Sequence, residues 1–329
     1  MALKLYYDQD TDPGLIRARR VAVLGFGAQG RAQAQNLKDS GVPVVVGLRA
    51  GSASRAAAQT AGLPVLEPGE AIAQADLVVM LVPDEVQPQV YTEWVAPNLR
   101  QQATLVFAHG FNIHYRGIVP RADLDVVMVS PNGIGEQVRA QYLAGHGVPG
   151  LVAVHQDVSG SARQLAFSYA WAQGHGRAGI VESTFREETE TDLFAEQAVL
   201  CGGLTHLIEA GFETLTAAGY APEIAYFCCL HEVKLIADMI YQRGIAGMRE
   251  SISATAEFGD YTRGPRVIGT ETRAAMQALL GEIQRGEFAA ELGREIAADK
   301  PMIRAGRVSA RASLIETVGA ALRARMKRD

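Results

Sequence analysis

The sequence contains little cysteine, with 3 residues among 329: Cys201, Cys228 and Cys229. No two of them have the Cys-x-x-Cys spacing of a thiolate zinc site, and three thiols are too few for a disulfide framework. Such a low content is typical of a reducing compartment, so we expect a cytoplasmic protein. The adjacent pair Cys228 and Cys229 is typical of small apolar residues in a helix.

The sequence also lacks an excess of basic residues and any long apolar run. With 31 Lys and Arg against 36 Asp and Glu, its formal net charge is −5, so we expect no nucleic-acid partner. Its most apolar stretches, such as residues 77–82, are far shorter than the roughly 20 residues that cross a bilayer, so we expect no membrane association. The first residues also lack the apolar segment of a signal peptide.

What the sequence does have is 48% hydrophobic residues in a chain longer than one core usually organises, which favours two domains. Up to about residue 154 the apolar residues form short runs rich in Val, typical of strands buried on both faces of a parallel sheet. Amphipathic stretches separate them, which indicates a doubly wound α/β domain. The runs are 21–26, 42–48, 76–82, 103–108, 124–130 and 151–154.

The second half of the chain has a different pattern. Helical periodicity covers residues 187–218, 222–245 and 270–290, with no further alternation of strands and helices. We therefore predict a Rossmann domain that binds NADP over residues 1–181 and an all-helical domain over residues 182–329.

A glycine-rich motif follows the first predicted strand and precedes a predicted helix. Gly25 suits a tight turn, Gly27 lets a pyrophosphate approach the backbone, and Gly30 permits close packing of the helix. In this context the motif predicts a dinucleotide site, and the alternative is a purely structural turn. The predicted cofactor-binding residues here are Gly25, Phe26, Gly27, Ala28, Gln29 and Gly30.

The end of the second predicted strand favours NADPH over NADH. A carboxylate there would hold the ribose 2′-hydroxyl of NADH, but this segment contains Arg49, Ser52, Ser54 and Arg55 and no acidic residue. Arginine and serine are suitable donors to a 2′-phosphate, although a solvated polar loop is the alternative. We also assign to the cofactor site three residues directly after the run 76–82: Pro83, Asp84 and Gln87.

An acidic stretch begins the helical half. Asp192 and Glu196 lie four residues apart and so share one helix face, where their repulsion is roughly 3 kcal/mol. Carboxylates so placed are ligands that Mg²⁺ prefers, but an acidic first turn that complements the helix dipole is an equal alternative. We assign Glu187, Glu188 and Glu190 to that second class.

Four stretches together are characteristic of one enzyme family. They are FAHGFNIH (107–114), TFREETETDLFAEQAVLCGG (184–203), AGYAPEIAYFCCLHEVKLIADMI (218–240) and SISATAEFGDY (251–261). The chain resembles the ketol-acid reductoisomerases, in their short class I form, over essentially its whole length. The resemblance implies a Rossmann domain, a knotted helical domain, and homodimers or assemblies of dimers with sites shared between subunits. It also implies Mg²⁺ and NADPH, and conversion of 2-acetolactate or 2-aceto-2-hydroxybutyrate to 2,3-dihydroxy acids by alkyl migration and hydride transfer.

The same resemblance implies roles for single residues. Asp192 matches the carboxylate that bridges two magnesium ions, Glu196 a ligand of one ion, and Glu232 a ligand from the second subunit. His109 matches the active-site histidine, which also lies at the cofactor, and Ser253 matches the serine that contacts the substrate carboxylate. Without the resemblance, His109 is more typical of a structural histidine.

Three positions depart from the family pattern. Where the family has AYFECLHE, Cys228 replaces the fourth carboxylate ligand; a thiol is soft and mostly protonated, so we expect a weakened magnesium site. Where the family has APKGPG or MPKCPG, this chain has SPNGIG, so Asn132 replaces the lysine that assists migration. Asparagine supplies neither a cation nor a titratable proton. Ala254 replaces the Asn of SISNTAE.

These departures affect the migration centre and leave the cofactor motif intact. Our leading hypothesis is therefore a diverged NADPH-dependent reductase of a ketone, keto acid or imine, with the two-metal migration impaired or lost. The alternative is a working ketol-acid reductoisomerase. A third hypothesis, of another class, is an inactive NADPH-binding subunit.

Overall fold

The computed structural model describes residues 3–326. The chain forms two compact units, Met1–Thr191 and Asp192–Asp329. The division lies inside the helix Phe185–Ala195. The reason is that the first turns of this helix bury polar side chains, among them Glu188 and Thr189, within the first unit.

Over the described residues, the first unit contains a sheet of nine strands in the order β1-β9-β8-β7-β6-β5-β2-β3-β4. The strands are β1 (Leu5–Tyr6), β2 (Val21–Leu24), β3 (Val44–Gly47), β4 (Val65–Leu66), β5 (Leu77–Met80), β6 (Thr104–Phe107), β7 (Asp125–Pro131), β8 (Gly150–Gln156) and β9 (Ile180–Glu182).

The sheet is mixed, which corrects the expectation of a wholly parallel one. The adjacent strands β4, β3, β2, β5, β6 and β7 all run parallel to one another. In contrast, β8 is antiparallel to β7, and β1 is antiparallel to β9. A buried apolar run has the same composition in either direction, so the sequence of β8 does not reveal its orientation. The Rossmann-like architecture of the remaining strands is as predicted.

Helices cover both faces of this sheet, so its apolar residues divide between two cores. Val23 and Val79 belong to one core and Leu24 and Met80 to the other, as expected from the alternation of side chains along strands. The α-helices of this unit, the last of which runs on into the second unit, are Pro13–Arg17, Ala28–Asp39, Arg55–Thr60, Pro68–Ala73, Gln87–Val90, Ala96–Asn98, Phe111–His114, Gly135–Leu143, Ala162–Ala172 and Phe185–Ala195.

The second unit is helical, as predicted. Its described α-helices are Gly202–Ala217, Pro222–Tyr226, Glu232–Arg249, Ala254–Val267, Thr270–Gln284, Glu287–Ala297, Pro301–Ala312 and Leu314–Arg325. Two π-helical turns, Glu196–Leu200 and Phe227–His231, interrupt the predicted long helices. A small core forms around Phe212, Tyr226 and Ile315, and many apolar side chains of this unit stay exposed. No helix among residues 3–326 has both the length and the apolar character to cross a membrane.

Candidate active site

The glycine-rich turn between β2 and the helix Ala28–Asp39 has the geometry of a dinucleotide site. Gly25 has φ of +98°, and a Cβ there would lie 2.5 Å from the main-chain oxygen of Leu81. A Cβ on Gly30 would lie 2.4 Å from the oxygen of Gly25, so this glycine permits close packing. At Gly27 a Cβ would meet no atom within 4 Å, so the backbone is open there to a ligand at the helix N-terminus. These features fit a pyrophosphate.

The loop after β3 and the first residue of the helix Arg55–Thr60 contain the four residues predicted to bind a 2′-phosphate. Arg49 is exposed, and the main-chain N–H of Ser54 donates to Oγ of Ser52 at 3.3 Å. Arg55 is engaged within the protein, because its Nη1 donates to Oε1 of Glu67 at 3.0 Å and to the main-chain oxygen of Leu48. Arg49 is therefore the better placed of the two guanidinium groups to meet a phosphate.

The segment after β5 is joined to the segment that follows His109. Gln87 donates from Nε2 to the main-chain oxygen of Val82 at 3.1 Å and to Oδ1 of Asp84 at 3.0 Å. Nδ2 of Asn112, a residue that the sequence did not single out, donates to Oε1 of Gln87 at 3.0 Å and to the oxygen of Asp84 at 2.9 Å. Pro83 directly precedes the 3₁₀ turn Asp84–Val86. Two predicted cofactor-site residues are thus held by one buried asparagine.

His109 is paired with a buried carboxylate. Its Nδ1 lies 3.0 Å from Oε1 of Glu188, whose side chain is only 2% exposed. Oε2 of Glu188 accepts the main-chain N–H of Gly110 at 2.8 Å. An ionised carboxylate in this position holds the proton on Nδ1 and fixes the orientation of the ring.

Glu188 has further donors around it. The hydroxyl of Ser130, near the end of β7, donates to Oε1 at 2.8 Å. Oγ1 of Thr189 lies 3.4 Å from Oε2 but donates more closely to the main-chain oxygen of Phe185, at 2.7 Å. Because its oxygens accept from several donors, the carboxylate can remain buried without a strong penalty.

A second histidine contacts the same helix. Nε2 of His114 lies 3.4 Å from Oε1 of Glu190, to which Nε of Arg186 also donates at 3.0 Å. Burial lowers the pKa of His114, and Glu190 opposes this effect only in part. Glu188 and Glu190 therefore anchor the start of the helix Phe185–Ala195 through partners on the segment 109–114.

The predicted metal ligands occupy unusual helical geometry. Asp192 lies in the last α-helical turn before the π-helical turn that begins at Glu196. Cys228 lies inside the second π-helical turn, and Glu232 directly follows it; both side chains are exposed. π-Helical turns are frequent at functional sites. Among residues 3–326 of this single chain, no three carboxylate, histidine or cysteine groups converge on one potential metal site.

Two other predicted site residues lie at the ends of elements. Ser253 is the N-cap of the helix Ala254–Val267, and its Oγ accepts the N–H of Ala256 at 3.2 Å. Asn132 directly follows β7, and its main-chain N–H donates to the oxygen of Pro149 at 2.9 Å. Its side chain is exposed.

Comparisons with known proteins assign this architecture to a family. The family model for the acetohydroxy acid isomeroreductase NADPH-binding domain matches residues 15–179, and that for the ketol-acid reductoisomerase C-terminal domain matches residues 185–328. The chain belongs to the ketol-acid reductoisomerase family. It is accordingly an oxidoreductase with a nicotinamide cofactor, as the sequence predicts.

Solved structures agree with this assignment. An NADH-preferring ketol-acid reductoisomerase from an uncultured archean is 45% identical, with a TM-score of 0.96 over 99% of this chain and 100% of that chain. A pyrroline-5-carboxylate reductase from Coxiella burnetii is 16% identical, with a TM-score of 0.55 over 81% of this chain and 98% of that chain. A semialdehyde dehydrogenase NAD-binding protein from Cupriavidus necator is 17% identical, with a TM-score of 0.61 over 81% and 99%. The last two show a shared fold only.

In this ketol-acid reductoisomerase family member, Glu188 belongs to the site through its contacts with His109 and Ser130, although its sequence context predicts only an acidic first turn. The spacing contains a signal that could have found it. Glu188, Asp192 and Glu196 follow one another at intervals of four residues, so an acidic helix face extends one turn before the two predicted ligands. Ser130 was also missed, because a serine near a strand end carries no such signal.

Proposed function

We propose that the chain is a diverged ketol-acid reductoisomerase family member that uses NADPH to reduce a ketone, keto acid or imine, with alkyl migration impaired or lost. The observation that carries this proposal is Cys228, an exposed thiol in a π-helical turn four residues before Glu232. By resemblance, that position holds a carboxylate ligand of the second magnesium ion. Asn132 supports the same conclusion, because it replaces the lysine that, by resemblance, assists migration.

The donor set fits a magnesium site with fewer oxygen ligands than the family pattern has. Asp192 and Glu196 are hard oxygen ligands, and Glu232 of a second subunit is expected to complete the set, whereas the thiol of Cys228 does not suit Mg²⁺. Migration needs charge stabilisation by two cations, but reduction needs one polarised carbonyl or imine group. Loss of one ligand therefore impairs the first reaction more than the second.

We propose NADPH as the cofactor. The exposed Arg49 and the hydroxyls of Ser52 and Ser54 are suitable donors to a 2′-phosphate, and residues 48–55 contain no carboxylate to hold a 2′-hydroxyl. The related ketol-acid reductoisomerase from an uncultured archean prefers NADH, so the preference of this chain between NADPH and NADH is tested directly below. Gly27 and the helix N-terminus would hold the pyrophosphate in either case.

The residues of the first unit suit a simple reduction. The reduced nicotinamide, when bound, supplies a hydride to the carbonyl or imine carbon. His109, held at Nδ1 by Glu188, then donates the proton that the new hydroxyl or amine requires. Neither task depends on the groups that Cys228 and Asn132 replace.

We propose that the chain acts as a homodimer or an assembly of dimers. Large apolar side chains of the second unit are exposed in the single chain, among them Tyr241 at 91%, Met302 at 77% and Val308 at 70%. Exposure of so many apolar groups is typical of a surface that a partner covers. The matched positions of Asp192 and Glu232 support a site shared between two copies, in the reducing environment of the cytoplasm.

A second candidate is a working ketol-acid reductoisomerase, which the retained Asp192, Glu196, Glu232 and Ser253 favour. The test is oxidation of NADPH with Mg²⁺, with 2-acetolactate compared against its already migrated product, 3-hydroxy-3-methyl-2-oxobutanoate. Turnover of the migrated keto acid alone supports our proposal. Turnover of both at ordinary rates contradicts it and supports the second candidate. Cofactor binding without oxidation over a panel of keto acids and imines supports an inactive subunit.

A further inference from the structure

Ser130 is a polar residue at a position where the family pattern has Ala or Met. It lies near the end of β7 and is 8% exposed. Its hydroxyl donates to Oε1 of Glu188 at 2.8 Å, which is the same oxygen that lies 3.0 Å from Nδ1 of His109. An Ala or Met side chain cannot make this hydrogen bond, so it is a property of this chain.

The hydrogen bond acts on a carboxylate that has little contact with solvent. Glu188 is buried, and its other close donor, apart from His109, is the main-chain N–H of Gly110 on Oε2. Without Ser130, Oε1 would keep only the imidazole and Oε2 only the main-chain donor and the long contact to Thr189. Hydrogen bonds to a charged, buried group are among the stronger ones, so this hydroxyl restricts how the carboxylate can rotate.

The segment that carries Ser130 is fixed at its other end as well. The main-chain N–H of Asn132 donates to the oxygen of Pro149, and the oxygen of Gly133 accepts from Nε2 of Gln29 at 2.9 Å. Residues 130–133 therefore connect the dinucleotide turn, through Gln29, to the His109–Glu188 pair, through Ser130. A shift of this segment would move the histidine relative to the glycine turn.

We infer that Ser130 is a positioning residue, which fixes Glu188 and thereby the orientation of the His109 ring toward the substrate. The serine hydroxyl holds the carboxylate, and through it the histidine, on the segment 130–133 that also accepts a hydrogen bond from Gln29 of the dinucleotide turn. This inference rests on the proposed reductase function, in which His109 handles a proton.

The kinetic test compares Ser130→Ala, which restores the family residue, with Ser130→Thr, which keeps a hydroxyl. With NADPH and 3-hydroxy-3-methyl-2-oxobutanoate, we expect Ser130→Ala to lower kcat about 10-fold with little change in KM, and Ser130→Thr to restore most of kcat. The matched control is Ser168→Ala, which removes a buried hydroxyl that bonds Asp12 and the N–H of Ile16. We expect that control to lower the free energy of unfolding but to leave kcat at the wild-type value.

A spectroscopic readout separates this inference from the proposed function. The Nδ1 proton of His109 should give a downfield proton NMR signal, assigned by its loss in His109→Asn. We expect the signal to shift in Ser130→Ala and to return in Ser130→Thr, even if the enzyme turns over neither substrate. An unchanged signal and unchanged kcat in Ser130→Ala overturn the inference, as does a Ser130→Thr variant that behaves like Ser130→Ala. A shifted signal without any turnover overturns the proposed function alone.

Discussion

Gln29 of the dinucleotide turn donates a hydrogen bond from its side chain to the main-chain oxygen of Gly133, more than one hundred residues later in the chain. The backbone at Gly135 also packs closely against Ala28: a Cβ added to Gly135 would lie only 2.3 Å from the carbonyl carbon of Ala28. The turn predicted to hold the pyrophosphate and the segment that carries Asn132 are therefore fixed to each other.

Replacement of Gln29 by Met should break this connection. The oxygen of Gly133 and Nε2 of Gln33, which donates to Oε1 of Gln29 at 3.1 Å, would both lose a partner. We expect the free energy of unfolding to fall by about 1–3 kcal/mol, as measured by urea denaturation, and kcat to fall as well. The control is Gln35→Met, because the amide of Gln35 donates to the oxygen of Arg31 in its own helix. Equal effects of the two variants would contradict this prediction.

A methyl group at Gly27 should separate cofactor binding from stability. Gly27→Ala introduces a Cβ that meets no protein atom within 4 Å, at a backbone φ of −74° that Ala adopts readily. We expect stability to be kept and affinity for NADPH to fall about 10-fold or more, because the methyl occupies the approach to the pyrophosphate. Fluorescence titration with NADPH and thermal unfolding measure the two effects.

Two comparison variants separate an effect on NADPH binding from an effect on stability. Gly25→Ala should lower stability, since φ is +98° and the new Cβ would clash with the oxygen of Leu81. Gly293→Ala, also at a glycine where a Cβ meets nothing within 4 Å, should change neither affinity nor the cofactor preference. Undiminished NADPH affinity in Gly27→Ala would place the pyrophosphate elsewhere.

Reversal of charge at Arg49 should change the choice between the two dinucleotides. We expect Arg49→Glu to raise KM for NADPH about 10- to 100-fold and to leave KM for NADH similar or lower, because the carboxylate repels a 2′-phosphate and accepts from a 2′-hydroxyl. Steady-state kinetics with both cofactors measure the ratio. Arg19→Glu makes the same charge change at another exposed position and should leave the ratio unchanged. A parallel loss with both cofactors in Arg49→Glu would argue against contact with the 2′-phosphate.

Restoration of the family residues should restore migration if their loss impaired it. We expect Cys228→Glu to tighten Mg²⁺ binding, measured by titration calorimetry, since it replaces a soft thiol with a hard oxygen ligand. The double variant Cys228→Glu, Asn132→Lys should gain turnover of 2-acetolactate by about 10² or more over the wild type. Cys229→Glu on the same turn is the control. No gain in the double variant, with NADPH oxidation on the migrated keto acid intact, would mean that other residues prevent migration.

Stability should depend on pH through the buried His175. His175 is buried, its Nδ1 lies 2.8 Å from the oxygen of Val148, and burial lowers its pKa from 6.5 to about 4. Between these values the unfolded chain binds the additional proton, so stability is complete above pH 6.5 and declines as the pH falls toward 4, by about 3 kcal/mol.

Urea denaturation as a function of pH checks this relation. The His175→Asn variant keeps a donor for the oxygen of Val148 but cannot titrate, so we expect a flatter pH dependence of its unfolding free energy than in the wild type. Identical slopes for the two proteins between pH 4 and 6.5 would assign the acid sensitivity to other groups.

Most of the first unit could be predicted from sequence because short apolar runs and glycines obey local rules. The strands β2, β3, β5 and β6 lie inside the predicted runs, and Gly25 has the strained φ that its place in the motif requires. The direction of β8 could not be predicted, because it depends on how the chain returns after the helix Gly135–Leu143.

The site was less accessible to sequence analysis, because its polar contacts join residues far apart in the chain. Glu188 and His109 are separated by 79 positions and Glu188 and Ser130 by 58, so no local pattern predicts that they meet. The engagement of Arg55 by Glu67 likewise depends on the packing of β3 against β4. Family resemblance supplied His109, and the structure supplied its partners.

The π-helical turn at Phe227–His231 makes the number of residues in this segment as important as their identity. A π turn holds one residue more than an α turn, and each residue advances an α-helix by about 100° around its axis. Because the additional residue is taken up within this turn, an ordinary α-helix with the same number of residues would rotate Glu232 by about 100° relative to the residues before it. Loss of one residue together with the π turn would leave its direction nearly unchanged. Relatives of this chain that lack the π turn but keep the direction of Glu232 should therefore be one residue shorter in this segment.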